Sequence, residues 1–316
     1  MKRWLPWLGL VISLLCAAYF VRAVSQYWQS LTNIYWGPKA ILGMIVALGL
    51  YALTYAFVTR SWQLELRAVG HFKAYAELAR IILTSQFGKY LPGNVGHHVG
   101  RVVLAKRAGL PSDAIVASLL LDTLLVLLAG AICSLPTLPL LLSVLNQHDI
   151  SAGRTLIAAT SATAVATVAL LAIPALRGKL IALWRYGASL QPAAHVRLFF
   201  EAWLGQFTCF VLGASALYLL CNVISDAPPA SVIQFWPQVV GVYATAWLLG
   251  FLMPGAPAGL GVRELVLLLG LSPLIGEQQA TTAAAMLRLV TTVADGLVFT
   301  VAVCTGNSRA HGQGLT

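Results

Sequence analysis

The chain alternates long apolar stretches with shorter polar segments. Predominantly apolar stretches of about 20 residues are long enough to cross a bilayer as helices. They lie at 4–24, 38–59, 114–134, 153–174, 199–221, 235–253 and 280–304. Two shorter stretches, 78–91 and 264–275, adjoin the dipeptides Pro92-Gly93 and Pro254-Gly255. The pattern predicts an all-α polytopic membrane protein with about six full spans and two broken, re-entrant helical hairpins.

Composition supports the same class. Of the 316 residues, 59% are hydrophobic and only 9% are charged, with a mean hydropathy of +0.82. Soluble domains carry about 25% charged residues, so this chain cannot cover a water-facing surface of its size. We expect a single transmembrane domain over residues 1–316, in which 306–316 is a C-terminal tail. The positively charged N-terminus and its apolar stretch are interpreted as a retained first span.

The distribution of lysine and arginine predicts the orientation. Fourteen of the 20 lysine and arginine residues precede the first span or lie in the segments after the second and fourth spans. Such an excess marks the cytoplasmic side, so we expect an inner-membrane protein with a cytoplasmic N-terminus. The net charge of +10 is then explained by loops at the anionic leaflet, and no nucleic-acid partner is expected.

An internal repeat is the most informative feature. A shift of 162 residues places Pro254-Gly255 on Pro92-Gly93 and Arg263 on Arg101, without a gap. The two segments read PGNVGHHVGR and PGAPAGLGVR. The same shift superimposes three apolar elements, which predicts a first repeat at 1–149 and a second repeat at 150–305.

The repeat bears on topology. If 78–111 enters the bilayer and returns, the first repeat crosses three times and the second starts from the opposite face, which gives two inverted repeats. Inverted repeats with broken helices are common in transporters, where the breaks meet at the binding site. The alternative keeps 235–253 as a full span and both Pro-Gly motifs on the cytoplasmic side.

The chemistry of the two motifs suits a phosphate. A guanidinium group after a Gly-rich break offers a permanent charge and a planar fork, and the glycines bring backbone N–H groups close. The candidate substrate-binding residues are Pro92, Gly93, Asn94, Gly96, Arg101, Pro254, Gly255, Gly259, Gly261 and Arg263. In the alternative interpretation, both motifs are interfacial loops whose arginines only anchor the protein to lipid phosphates.

Several charged residues fall within apolar stretches, where ionisable groups usually face a cavity or a partner. The candidate pathway residues are Asp122, Glu201, Glu264, Arg288 and Asp295. Arg288 and Asp295 are seven residues apart and should share one helix face. Glu264 is placed to neutralise Arg263. These residues either line a route for a headgroup or a proton, or form buried pairs that only fix helix packing.

Nothing in the sequence indicates catalysis. There is no GxxxxGK[ST], GxSxG or HExxH motif, and the five cysteines form no CxxC pair. His97 and His98 are consecutive and would point in different directions, so a shared metal ion is not expected. The sequence therefore predicts a transporter rather than an enzyme, with no cofactor and no metal.

Three segments, KYLPGNVGHHVGR, MPGAPAGLGVRE and AAAMLRLVTTVADGL, resemble the lysylphosphatidylglycerol synthase transmembrane family. The resemblance spans about residues 5–305. That family includes the flippase domain of the multiple peptide resistance factor, so the resemblance implies movement of a phospholipid between leaflets. The aminoacyl-transferring soluble domain of the two-domain members has no counterpart here, so lysine transfer is not expected. Asp122-Thr123 stands where relatives often carry an acid-Arg pair, and His97-His98 is a further departure.

Three hypotheses of function follow. The first is a flippase for a phospholipid or glycolipid, whose partner is a membrane lipid with an anionic phosphate headgroup. The second is a carrier of polyprenyl-phosphate or a polyprenyl-linked sugar for envelope glycan synthesis. The third is a non-transporting membrane partner of a transferase.

Overall fold

The computed structural model describes residues 37–90, 96–137, 192–224, 235–253 and 256–312, with four isolated positions between 18 and 25. This part of the chain contains eight α-helices and no strand. The helices are α1 (Pro38–Ala68), α2 (Tyr75–Ser85), α3 (Gly96–Arg107), α4 (Ser112–Ser134), α5 (Pro192–Ile224), α6 (Trp236–Leu252), α7 (Val262–Ile275) and α8 (Glu277–Gly312). Short 3₁₀ segments lie at Gln86–Tyr90, Leu135–Thr137 and Pro257–Gly259.

The all-α polytopic class is confirmed. Five helical segments of the described chain are long and apolar enough to cross a membrane. They are Pro38–Ala68, Ser112–Thr137, Ala194–Ile224, Pro257–Ile275 and Glu277–Thr305, and the apolar helix Trp236–Leu252 is shorter. Apart from isolated positions, the predicted spans at 4–24 and 153–174 lie outside the described residues. The last helix continues to Gly312, into the segment predicted as a tail.

The ends of α1 follow from local sequence. The helix starts with Pro38, whose missing N–H is not needed in the first turn. It ends before Gly70, which has a φ of 82° and lets the chain turn back. The polar residues at 60–77 predict a linker along the membrane surface. This prediction is wrong for the first part of the segment, because α1 runs on to Ala68 and Ser61–Leu66 are buried.

Helices α1 and α5 pack against each other in opposite directions. His195 Nε2 lies 3.3 Å from the carbonyl oxygen of Ala68. Ser61 Oγ donates to the carbonyl oxygen of Ala202 at 2.9 Å. Cys209 Sγ donates to that of Thr54 at 3.4 Å. As residue numbers fall along α1 they rise along α5, so the two helices are antiparallel.

The order of elements repeats along the chain. In each half a long helix (α1, α5) is followed by a second helix (α2, α6), a break, a third helix (α3, α7) and a fourth (α4, α8). The packing repeats as well: α2 contacts α8 as α6 contacts α4, and α1 contacts α4 as α5 contacts α8. The last helix of each half, α4 or α8, therefore packs onto the first helix of both halves.

Apolar surface faces outward as well as inward. Ile41, Leu42, Ile45 and Leu53 on α1 are all exposed. A water-soluble helix would turn such a row inward, so this face suits contact with lipid tails. The opposite sides of the helices pack into two buried apolar clusters, one mainly on α5–α8 and one mainly on α1–α4.

Candidate functional site

A polar cavity of about 150 Å³ lies where the two halves meet. Helices α1, α3 and α4 of the first half and α5, α6 and α7 of the second contribute side chains to it. Its polar and charged lining residues are Tyr51, Thr54, Tyr55, Gln86, Lys89, His97, His98, Arg101, Asp122, Thr123, Gln206, Cys209, Tyr243 and Arg263. Aromatic side chains, including Trp247 and Phe251, complete the wall. The arginines of both repeats therefore line the same cavity.

Arg101 on α3 forms a buried ion pair. Its Nη1 donates to Asp122 Oδ2 on α4 at 2.9 Å, and both residues are at most 5% exposed. The amide Nε2 of Gln206 donates to the other oxygen of Asp122 at 2.6 Å. The guanidinium carbon lies 5.6 Å from the centre of the Trp62 ring. Arg101 Nε is buried without a partner among the described residues.

Arg263 has different surroundings. Its guanidinium carbon lies 5.2 Å from the centre of the Trp247 ring, and within the described residues it has no carboxylate partner. Its buried Nε also has no partner there. The side chain passes between Gly250 and Gly259, where a Cβ on Gly259 would come within 2.8 Å of Nε. Because neither glycine has a side chain, the space between them accommodates the Arg263 side chain.

Glu264 does not neutralise Arg263, which corrects the expectation from sequence. Its Oε2 accepts the N–H of Gly261 at 2.7 Å and so caps the start of α7. Its Oε1 lies 3.3 Å from Nη1 of Arg288 on α8. Glu264 lies only three residues after Gly261, so its carboxylate caps the N-terminus of α7. Its cationic partner is Arg288 on the neighbouring helix α8.

Asp295 on α8 is tied to the first half. Lys89 Nζ lies 2.7 Å from Asp295 Oδ2, and the hydroxyls of Tyr55 and Tyr90 both donate to the same carboxylate. Arg288 lies 6.0 Å from the centre of the Tyr90 ring. Arg288 and Asp295 therefore contact the same tyrosine, as their seven-residue spacing predicts.

His97 and His98 line the cavity from the start of α3, which is not one of the candidate spans. Burial lowers the pKa of His97 to about 2 and that of His98 to about 4, and nearby cations act in the same direction. Both imidazoles are therefore neutral near pH 7. His97 Nδ1 is buried without a hydrogen-bond partner in the described part of the chain.

The remaining predicted residues divide into three groups. Pro92, Gly93, Asn94, Pro254 and Gly255 lie outside the described residues. Gly96, Gly259 and Gly261 shape the breaks: Gly96 lies against the backbone of Gly88, and the other two have positive φ angles. Glu201 is not in the lining of this cavity and pairs with Arg197 on the surface.

Sequence reasoning missed Lys89, Tyr55, Gln206 and Glu65. Lys89 counts in the sequence only as a cytoplasmic charge, although it follows an apolar stretch and precedes the first break. Gln206 sits alone in a long apolar stretch, which is a usable signal for a buried polar contact. Glu65 falls in the expected surface linker and is fully buried.

These features define a polytopic helical membrane protein with a charged cavity between two halves whose described helices follow the same order. Residues 7–298 match the family described as the lysylphosphatidylglycerol synthase TM region, so the chain belongs to that family. The match covers nearly the whole chain and confirms the resemblance carried by the Pro-Gly segments. No curated protein matches the chain. Membership of this family indicates a lipid-related role in the membrane.

Proposed function

We propose that the protein moves a lipid with an anionic phosphate headgroup from one leaflet of the inner membrane to the other. The observation that carries the proposal is the convergence of Arg101 and Arg263 on one cavity. Two guanidinium N–H groups that line the cavity, those at Nε of Arg101 and Nε of Arg263, are without partners in the described chain. Buried N–H donors need acceptors, and phosphate oxygens suit them.

The charges around the cavity favour an anion over a cation. Each nearby carboxylate already has a basic partner: Asp122 pairs with Arg101, Asp295 with Lys89 and Glu264 with Arg288. Arg263 is the basic group of this site whose ion-pair partner is not found among the described residues. A phosphate next to Arg263 would complete the charge balance, whereas a cationic headgroup would add to the excess.

Alternating exposure of the cavity would need two halves that move relative to each other. We propose that the halves are inverted repeats with re-entrant hairpins at their breaks. The repeated order of helices supports this, and so does the antiparallel packing of α1 against α5, its counterpart in the other half. Counterparts that run in opposite directions are what inverted repeats require. The distribution of lysine and arginine supports a cytoplasmic N-terminus.

The proposal is tested by lipid exchange in liposomes. Purified protein is reconstituted with fluorescent phosphatidylglycerol, and a membrane-impermeant quencher reports how much label reaches the outer leaflet over time. We expect the wild type to accelerate exchange over protein-free vesicles and R263A to abolish the acceleration. Arg197→Ala is the matched control, because Arg197 is 81% exposed and lies outside the cavity.

An inactive wild type, or R263A as active as the wild type, would overturn the proposal. Native mass spectrometry of the co-purified lipid distinguishes the substrate classes. A bound phospholipid supports the proposal in its present form. A bound polyprenyl-phosphate would replace the phospholipid as the substrate, and a stable transferase complex without exchange would favour the non-transporting role.

A further inference from the structure

Glu65 is a buried acid that has no role in the lipid transport proposed above. It lies near the end of α1 and is 0% exposed. Neither of its carboxyl oxygens has a hydrogen-bond partner among the residues that the structure describes. An ionised carboxylate without partners is strongly unfavourable in such a place. The carboxyl group of Glu65 therefore holds a proton in this state.

The surroundings of Glu65 connect it to the cavity. Trp62 lies three residues earlier on the same face of α1, and Arg101 lies over its ring. Trp62 Nε1 also donates to Ser118 Oγ on α4 at 3.0 Å, one helical turn before Asp122. The face of α1 that carries Glu65 therefore packs beside the Arg101–Asp122 pair, so two carboxyl groups lie near one guanidinium group. With Asp122 ionised and paired to Arg101, the cluster is neutral only if Glu65 carries the proton.

We propose that Glu65 is a proton-binding site that couples lipid passage to proton movement, with Asp122 as its exchange partner. In the step proposed, the proton leaves the Glu65 carboxyl group and binds the Asp122 carboxylate. Glu65 becomes the carboxylate that pairs with Arg101. The neutral Asp122, which lines the cavity, then releases the proton to water there and regains its charge. Glu65 takes up the next proton as Arg101 returns to Asp122, which restores the neutral cluster.

Arg101 makes this exchange geometrically reasonable. Its Nη1 is engaged by Asp122, whereas its Nε is buried and unpartnered in the described chain. A headgroup phosphate that draws Arg101 toward the cavity would weaken the pair with Asp122 and change which carboxyl group binds the proton. Lipid binding and proton position are then linked through one side chain.

Other titratable groups near Glu65 do not explain a proton signal near pH 7. His97 and His98 stay neutral there, because burial lowers the pKa of both. On the helices packed against α1, Glu77 of α2 pairs with Lys73, and Glu201 of α5 pairs with Arg197. His195 of α5 contacts the carbonyl of Ala68. Asp295 of α8 contacts Tyr55, which is about 15 Å from Glu65 along α1.

The inference rests on the proposed lipid transport and is tested by imposing a pH difference across the liposomes. If one proton moves per lipid, a difference of one pH unit drives about a tenfold ratio of labelled lipid between leaflets. We expect this asymmetry for the wild type, together with a signal from an entrapped pH dye. Glu65→Gln should equilibrate the label equally between leaflets and give no dye signal. Glu77→Gln, an exposed acid in an ordinary ion pair, is the matched control and should behave like the wild type.

The outcomes separate the two proposals. Wild-type exchange that ignores the pH difference would overturn the proton coupling and leave lipid transport standing. No exchange at all would overturn the transport itself. Infrared spectroscopy then tests the proton site independently: the carbonyl stretch of a buried protonated acid should be present at pH 7 and missing in Glu65→Gln. Its persistence in that variant would contradict the inference.

Discussion

Arg101 and Arg263 occupy matching positions in the two halves, but only one of them has an acidic partner in the described chain. The residue that matches Asp122 after the 162-residue shift is Ala284, so the second half lacks the acid that neutralises the first. The two arginines at matching positions therefore have different surroundings: Arg101 belongs to a buried network, whereas Arg263 would be free to bind the anionic headgroup of the proposed substrate.

The Arg101–Asp122 pair should be costly to break from one side. In a Glu65→Gln background, where no second carboxyl group can replace the lost one, Asp122→Asn leaves Arg101 buried with its charge unbalanced, and removal of one partner of a buried pair typically costs about 3–5 kcal/mol. We expect a loss of that size in the free energy of unfolding, measured by denaturant titration in micelles.

The double variant R101M/D122L is the control for this prediction. It removes both charges together and should recover most of the lost stability while lipid exchange stays absent. Equal instability of the single and double variants would show that the network contributes through packing rather than through charge.

At the residue scale, the sequence identified which charged residues lie in the apolar helices better than it identified their ion-pair partners. Asp122, Arg288 and Asp295 all stand out by their positions in apolar stretches. Their partners come from helices that are distant in sequence: Lys89 is 206 residues from Asp295. Only the packing of helices fixes such pairs, so a local interpretation paired Glu264 with its neighbour Arg263 instead.

At the scale of elements, the break before α7 determines where Arg263 points. Gly259 has a φ of 69° and lies against both the Arg263 side chain and the backbone of Gly250. Its conformation is available to glycine at little cost, and its lack of a Cβ leaves room for the arginine.

Gly259→Ala should therefore abolish lipid exchange through a displaced Arg263. Gly70→Ala is a close control, because Gly70 has a φ of 82° and an added methyl group there would have no atom within 4 Å. Both variants carry the backbone penalty of about 1–2 kcal/mol. Only Gly259→Ala should lose exchange, as measured by the quenching assay. Equal activity of the two would show that Arg263 adapts to the added methyl group.

The lengths of the apolar stretches predicted well which segments form helices, but they predicted less well where each helix ends. The end of α1 shows the reason. Residues 60–68 are polar enough to suggest a membrane surface, but several of their polar groups are hydrogen-bonded inside the protein, as in the bond from Trp62 Nε1 to Ser118 Oγ at 3.0 Å. Composition alone does not distinguish a polar segment in water from one that faces other helices.

At the scale of the whole molecule, the antiparallel packing of α1 and α5 can be tested by cross-linking. A Cβ on Gly205 would lie 3.6 Å from the Cβ of Ser61, within the range of a disulfide. In a variant with the five native cysteines replaced, we expect Ser61→Cys with Gly205→Cys to form a disulfide on oxidation. Protection from a maleimide reagent after denaturation would report it.

Ser61→Cys with Val223→Cys is the control pair. Residue 223 is the 162-residue counterpart of Ser61 and would face it if the helices were parallel in matched register. In this structure Val223 instead contacts Gly43, about 27 Å from Ser61 along α1. Cross-linking of this pair, and not of the first, would contradict the inverted arrangement.

The repeat was visible from sequence because proline, glycine and arginine mark the breaks in both halves. The packing of α1 on α5 was not visible from sequence. Apolar helices offer many equivalent faces, and which face packs is determined by a few close contacts. Ser61 against Gly205 is one such contact, in which the missing side chain of the glycine lets the helices approach.

The long contact between α1 and α5 restricts how these two helices can move. Polar and close backbone contacts tie α1 to α5 from Thr54 to Ala68, and the contact of Gly43 with Val223 extends the packing toward the other end. Sliding either helix would break many of these contacts at once. The pair should therefore stay fixed, and if the cavity opens alternately to the two sides of the membrane, the shorter helices around α1 and α5 would have to move.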